Sequence, residues 1–144
     1  MARNEGKMRT IKFRGQQVHD NDWFEGSLIS LENGKSYITQ DLRTPQERNQ
    51  KTGYTLAHFS EVIPETVGQF TGLTDKNGTK IFEGDNIRYK TTFLTAIVFY
   101  EEGAFQVVFG GMHQHDLKDL DLRYVEVIGN IHERENYERN IIQG

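Results

Sequence analysis

Asn-Gly pairs set between β-prone runs constrain this chain more than any other feature, because they fix where the backbone must reverse. The central stretch, residues 67–88, reads Val-Gly-Gln-Phe-Thr-Gly-Leu-Thr-Asp-Lys-Asn-Gly-Thr-Lys-Ile-Phe-Glu-Gly-Asp-Asn-Ile-Arg. Val67, Gln69 and Thr71 alternate with Gly68, Phe70 and Gly72, and Lys80-Ile81-Phe82 resumes the β-prone pattern beyond Asp75-Lys76-Asn77-Gly78. The spacing predicts a hairpin closed at Asn77-Gly78 by a type I′ turn, whose two central residues both need φ > 0. Glu83-Gly84-Asp85 predicts a second turn, with Asp85 accepting from backbone N–H groups as Asn86-Ile87-Arg88-Tyr89 departs as a new strand. A second Asn-Gly signal, Glu32-Asn33-Gly34-Lys35, joins Trp23-Phe24-Glu25-Gly26-Ser27-Leu28-Ile29-Ser30 to Ser36-Tyr37-Ile38-Thr39-Gln40. With the alternating Ile11-Lys12-Phe13-Arg14, these make a meander of short strands.

The rest of the chain continues this punctuation. Residues 41–53 are polar apart from Leu42 and read as a long loop, with a short helix from Pro45 as the alternative. Tyr54-Thr55-Leu56-Ala57-His58-Phe59 returns to strand and ends near Pro64. Phe93-Leu94-Thr95-Ala96-Ile97-Val98-Phe99-Tyr100 is nearly continuously apolar, the pattern of one strand covered on both faces. Glu101-Glu102-Gly103 turns it into Ala104-Phe105-Gln106-Val107-Val108-Phe109. Residues 117–122 fit either a strand or a helical turn. Gly129-Asn130 marks a bulge in a last strand over residues 125–131, and residues 133–142 are helix-compatible. The expected fold is mainly β: a small, partly closed, barrel-like architecture built from hairpins, with a short C-terminal helix. Its expected organisation is a flexible basic arm over 1–10, a β meander subdomain over 11–63, and a barrel-like subdomain over 64–144.

Composition enters through what it excludes. The 144 residues contain no cysteine, which rules out disulfides and thiolate metal sites. No stretch approaches the roughly 20 apolar residues that span a bilayer, and the chain reads as a soluble protein of the bacterial cytoplasm. Lys and Arg balance Asp and Glu over residues 1–72, so the net charge of −4 resides in the C-terminal half. A broad electrostatic grip on DNA therefore needs its cations concentrated on one face. Arg9, Lys12 and Arg14 of the basic arm, with Arg43, Arg48 and Lys51 of the polar loop, are the nucleic-acid-binding candidates, beside the rings of Trp23, Phe24, Tyr37 and Tyr54. Phe70, Phe82, Phe99, Phe105 and Phe109 read as core.

Catalytic signals are weak. His113, His115 and Asp116 have a residue chemistry that suits a divalent transition metal, set against the plainer reading of a solvated loop. Asp75-Lys76-Asn77-Gly78 fails as a calcium loop because Lys80 occupies the position that requires glycine. Glu83 and Asp85 flank Gly84 and are better explained by turn formation, as are Asn33, Gly34, Asn77, Gly78 and Gly84 themselves. No nucleophile-base order or phosphate-cradling loop is present, so the expected protein is not an enzyme and uses no cofactor.

The Val-Gly-Gln-Phe-Thr-Gly-Leu segment, the Asp-Lys-Asn-Gly turn and the Ile-Phe-Glu-Gly-Asp segment, in that order and spacing, resemble the YopX family of proteins found in bacteriophages and prophages. The likeness extends to Ile11-Lys12-Phe13-Arg14 with Trp23-Phe24-Glu25-Gly26-Ser27-Leu28, and to Tyr124-Val125-Glu126-Val127-Ile128-Gly129-Asn130-Ile131, covering residues 9–133. The chain departs from the family pattern at Gly15, where a larger residue is expected, and at His132-Glu133-Arg134. The family brings no established activity. What the resemblance implies is a phage or prophage accessory protein; together with the absent catalytic constellation and the long polar loop at 41–53, the expectation is that it binds a protein partner or, through short strand edges, self-associates as a homo-oligomer. The alternatives are a nucleic-acid-binding barrel using the arm and loop, and a metal-dependent enzyme at His113 and His115.

Overall fold

The computed structural model describes residues 9–41, 57–90, 94–110 and 113–133. The described chain is mainly β, with 12 strands and three short 3-10 turns, and a helix opens at residues 131–133. Most of the helix-compatible segment lies outside the described residues. The chain forms two compact units, one of Lys12–Gln69, the other of Met1–Ile11 and Phe70–Gly144. The division falls between Gln69 and Phe70, inside a strand.

The Lys12–Gln69 unit is an antiparallel meander. β1 (Phe13–Gln16) pairs with β2 (Trp23–Ser30), β2 with β3 (Ser36–Asp41), and β3 with β4 (Ala57–Val62). The meander turns back on itself, because Gln17 bridges Val62, Val18 N–H donates to Glu61 C=O at 2.9 Å, and Ile63 N–H donates to Gln16 C=O at 2.8 Å. That return is the partial closure. Its interior is polar: Ser60 Oγ donates to Gln17 Oε1 at 2.7 Å, and Thr66 Oγ1 accepts from Gln16 N–H at 2.9 Å while donating to Ile63 C=O at 2.6 Å. Ile38 and Val62 are the fully buried apolar side chains here. Glycine is required twice. A Cβ on Gly26 would lie 2.2 Å from the Thr39 carbonyl oxygen, and one on Gly15 would lie 3.0 Å from Val62 Cβ.

β5 (Gly68–Thr74) begins in this unit, pairing Gly68 with Arg14 and Gln69 with Phe13. In the second unit it pairs with β6 (Lys80–Phe82). That unit also holds a sheet in the order β12-β7-β8, from Val125–Asn130, Asp85–Tyr89 and Thr95–Ile97, and one in the order β11-β10-β9, from Gln114–Asp116, Ala104–Val108 and Phe99–Glu101. Ile81, Ile87, Ala96, Val98, Val107, Phe109, Leu117 and Val125 form its buried core. Residues 117–119 and 122–124 resolve into 3-10 turns, the first supplying fully buried Leu117. The bulge expected at Gly129 is present as a register shift between Val127 and Gly129.

Two expectations need correction. Phe93 to Tyr100 is not one strand buried on both faces: it divides at Val98 into β8, paired with β7, and β9, paired with β10, and Leu94, Ile97 and Tyr100 are exposed. Hydrogen bonds from Val98 N–H to Asp85 C=O and from Gly84 N–H to Val98 C=O hold the chain where it changes sheet. The Asn-Gly turns are not type I′, since Gly34 (φ 86°) and Gly78 (φ 80°) are left-handed while Asn33 and Asn77 are not. Gly78 N–H donates to Asp75 C=O and Asp75 N–H to Thr79 C=O, and the same pattern links Gly34 to Leu31 and Leu31 to Lys35, giving type I turns followed by a glycine bulge. The I′ geometry falls instead on Glu102 (φ 52°) and Gly103 (φ 81°).

Candidate functional site

The described residues among those singled out in the sequence each have their own local contacts. Arg9 is exposed, Lys12 sits 4.0 Å from Glu25, and Arg14 stacks its guanidinium 4.7 Å from the centre of the Trp23 ring. Trp23, Phe24 and Tyr37 are half-buried, and Phe24 packs edge-on against His58 at 5.3 Å. Arg43, Arg48, Lys51 and Tyr54 lie outside the described residues. His113 and His115 are exposed, and His115 and Asp116 stand on β11 opposite Val107 and Gln106. Among the described residues no three His, Asp or Glu side chains gather as metal ligands. The turn residues are structural in their contacts: Asp85 Oδ2 accepts from Phe82 N–H at 2.7 Å, and Asn33 Oδ1 from Lys35 N–H at 3.0 Å. His132, the other departure from the family pattern, is buried, its backbone N–H bonded to Asn130 Oδ1 at 2.9 Å.

A feature the sequence did not reveal lies along β8. Antiparallel ladders alternate bonded and non-bonded residue pairs. Val98 is bonded to Asp85, so in this register Ala96 and Ile87 bond each other, while the backbone groups of Ile97 and Thr95 face away from β7. β8 is the last strand of its sheet, and a groove of about 400 Å³ lined by Asn86, Thr95, Ala96, Ile97, Phe99 and Val108 lies beside it. Its walls are mainly apolar. Asn86 and Thr95 supply its polar side chains, and Asn86 Oδ1 is buried with no hydrogen-bond partner among the described residues. A buried amide oxygen without a donor carries an uncompensated desolvation cost of roughly 1–3 kcal/mol.

A second cluster joins residues distant in sequence. Lys90, at φ 57°, places its ammonium 5.2 Å from the Tyr89 ring and 5.5 Å from the Tyr124 ring, and Arg123 lies 5.8 Å from Tyr124. Arg123 also forms a forked ion pair with Asp121, at 2.7 and 3.0 Å, which holds the Asp121 carboxyl below its ordinary range and raises the guanidinium. Half-exposed Tyr124 is thus a ring edged by cations, and one of these is matched by a carboxylate.

These features define a mainly β protein of hairpins with, among the described residues, no catalytic grouping. Residues 12–137 match the family model described as YopX protein, and the chain belongs to the YopX family, a family of unknown function. The fold is similar to that of protein EF1440 from Enterococcus faecalis, known from its crystal structure. The two are 21% identical, with a TM-score of 0.52 over 90% of this chain and 99% of that one. No curated protein matches the chain. Among the described residues no helix is long and apolar enough to cross a membrane.

Proposed function

We propose that this is a non-catalytic, phage- or prophage-encoded accessory protein of the bacterial cytoplasm that works by binding a protein partner. The observation that carries the reading is the mainly apolar groove beside β8, on a stretch where Leu94, Ile97 and Tyr100 are exposed: exposed apolar surface of this kind marks a protein-interaction site. Self-association has support from a sheet edge. β4 is the last strand of its sheet, and Phe59 on it is 57% exposed. A second reading, binding of single-stranded nucleic acid, is favoured by the Lys90, Arg123 and Tyr124 cluster, since bases stack on exposed rings flanked by cations. Affinity capture from a lysogenic host, with and without nuclease, separates the two. A protein retained after nuclease, and retained by a Tyr124→Ala variant, is the expected result; nucleic acid alone, lost on digestion, replaces the first reading with the second.

A further inference from the structure

We infer that Asn33 is a site of spontaneous modification, at which the Gly34 backbone nitrogen displaces the side-chain amide and leaves aspartate or isoaspartate at the tip of the β2–β3 hairpin, and that Asp75 protects Asn77 from the same reaction. This chemistry is independent of what the protein binds. The two Asn-Gly pairs sit in turns of one geometry. Gly34 N–H donates to Leu31 C=O and Gly78 N–H to Asp75 C=O, both at 3.0 Å, while Leu31 N–H donates to Lys35 C=O and Asp75 N–H to Thr79 C=O, both at 2.9 Å. Asn33, Gly34, Asn77 and Gly78 are all exposed, and among the described residues nothing beyond the adjoining ones lies within 4 Å of where a Cβ would stand on either glycine. Water access and crowding therefore do not separate the two pairs. The amide two residues after each asparagine does. Lys35 N–H donates to Asn33 Oδ1 at 3.0 Å, whereas Thr79 N–H, the equivalent donor, is held by Asp75 Oδ1 at 2.9 Å. The same oxygen accepts from Asn77 N–H at 2.8 Å. The first turn has Leu31 where the second has Asp75, so it has no carboxylate to divert the donor.

In the reaction Gly34 N gives its proton to water and bonds to Asn33 Cγ, and Oδ1 takes up the negative charge. Collapse breaks the bond to Nδ2, which leaves as ammonia with a proton from water, and a five-membered imide remains. Water then opens the imide at either carbonyl, giving the aspartyl chain or one routed through Cβ. Each product carries one more negative charge than asparagine. A glycine leaves the attacking nitrogen unshielded. Lys35 N–H already bonds the oxygen on which charge develops, as a fixed donor to an oxyanion does. For Asn77 the same assistance requires Thr79 N–H to leave a charged acceptor, and a bond of that kind corresponds to roughly tenfold or more in rate.

The test is peptide mapping by mass spectrometry of the full-length protein incubated at mildly alkaline pH, once folded and once unfolded in urea, with aspartate and isoaspartate products resolved by chromatography. The folded protein should convert Asn33 at least about tenfold faster than Asn77, and in urea the two rates should fall within about threefold of each other. That comparison needs no variant. Leu31 is 45% exposed, so Leu31→Asp installs the missing carboxylate without disturbing a core. It should slow Asn33 about tenfold in the folded protein and leave its rate in urea unchanged. Equal folded rates at the two asparagines, or a faster one at Asn77, overturn the inference. So does an Asn33 rate in folded Leu31→Asp equal to that of wild type.

Discussion

Single residues decide how tightly this chain is specified. Asp75 is 6% exposed, and its carboxylate accepts from Asn77 and Thr79 N–H at 2.8 and 2.9 Å through Oδ1 and from Val127 N–H at 2.9 Å through Oδ2, tying the central turn to β12. Bonds to a charged acceptor contribute about 1.5–3 kcal/mol each, so Asp75→Ala should lower unfolding stability by about 3 kcal/mol or more in urea titration. Asp75→Asn should recover only part of this, because an amide NH₂ offered to Val127 N–H opposes donor with donor. Gly26→Ala should cost at least about 2 kcal/mol, since its Cβ meets a backbone oxygen that cannot rotate away. Gly34, at φ 86° with open space where a methyl would stand, should cost about 1 kcal/mol on the same change. Gly34 was legible in the sequence through its Asn-Gly context. Gly26 was not, because its constraint comes from a neighbouring strand, nor was Asn86, whose amide is buried only by the tertiary fold.

At the scale of elements, the hairpins at β2–β3 and β5–β6 were legible because alternation and turn chemistry are local. The division of residues 93–100 was not: an unbroken apolar, β-branched run looks the same whether it stays in one sheet or changes sheets, and the change is set by Asp85 and Gly84 more than ten residues earlier. The groove beside β8 follows from that division, so the candidate site was hidden with it. Two element-level outcomes follow. Thr66→Val leaves Gln16 N–H without its acceptor where the Lys12–Gln69 unit closes on itself, and should cost about 1–3 kcal/mol in thermal or urea unfolding. Glu126 on β12 is bonded to Arg88 of β7 at 2.9 Å and lies 3.3 Å from Lys76 of the central turn; Arg88 first, then Lys76, holds its carboxyl below the ordinary range. A depressed folded value means that this contribution is fully present above the carboxyl's unfolded range and is lost as pH falls through the folded one. Glu126→Gln should therefore destabilise the protein near neutrality and lose less stability than wild type on acidification, read as melting temperature against pH.

For the whole molecule, the family and the mainly β class were readable from the order of motifs, whereas the activity was not, since no residue grouping commits the chain to a reaction. Partner binding is assigned to the mainly apolar groove beside β8. Amide hydrogen exchange of the full chain, free and with its captured partner, tests this most directly. Thr95 and Ile97 amides should exchange readily in the free protein and become protected in the complex, with Phe82 and Val98 unchanged. Protection confined to Tyr124 and its neighbours, or to residues 9–14, with β8 exchanging as before, would contradict the assignment.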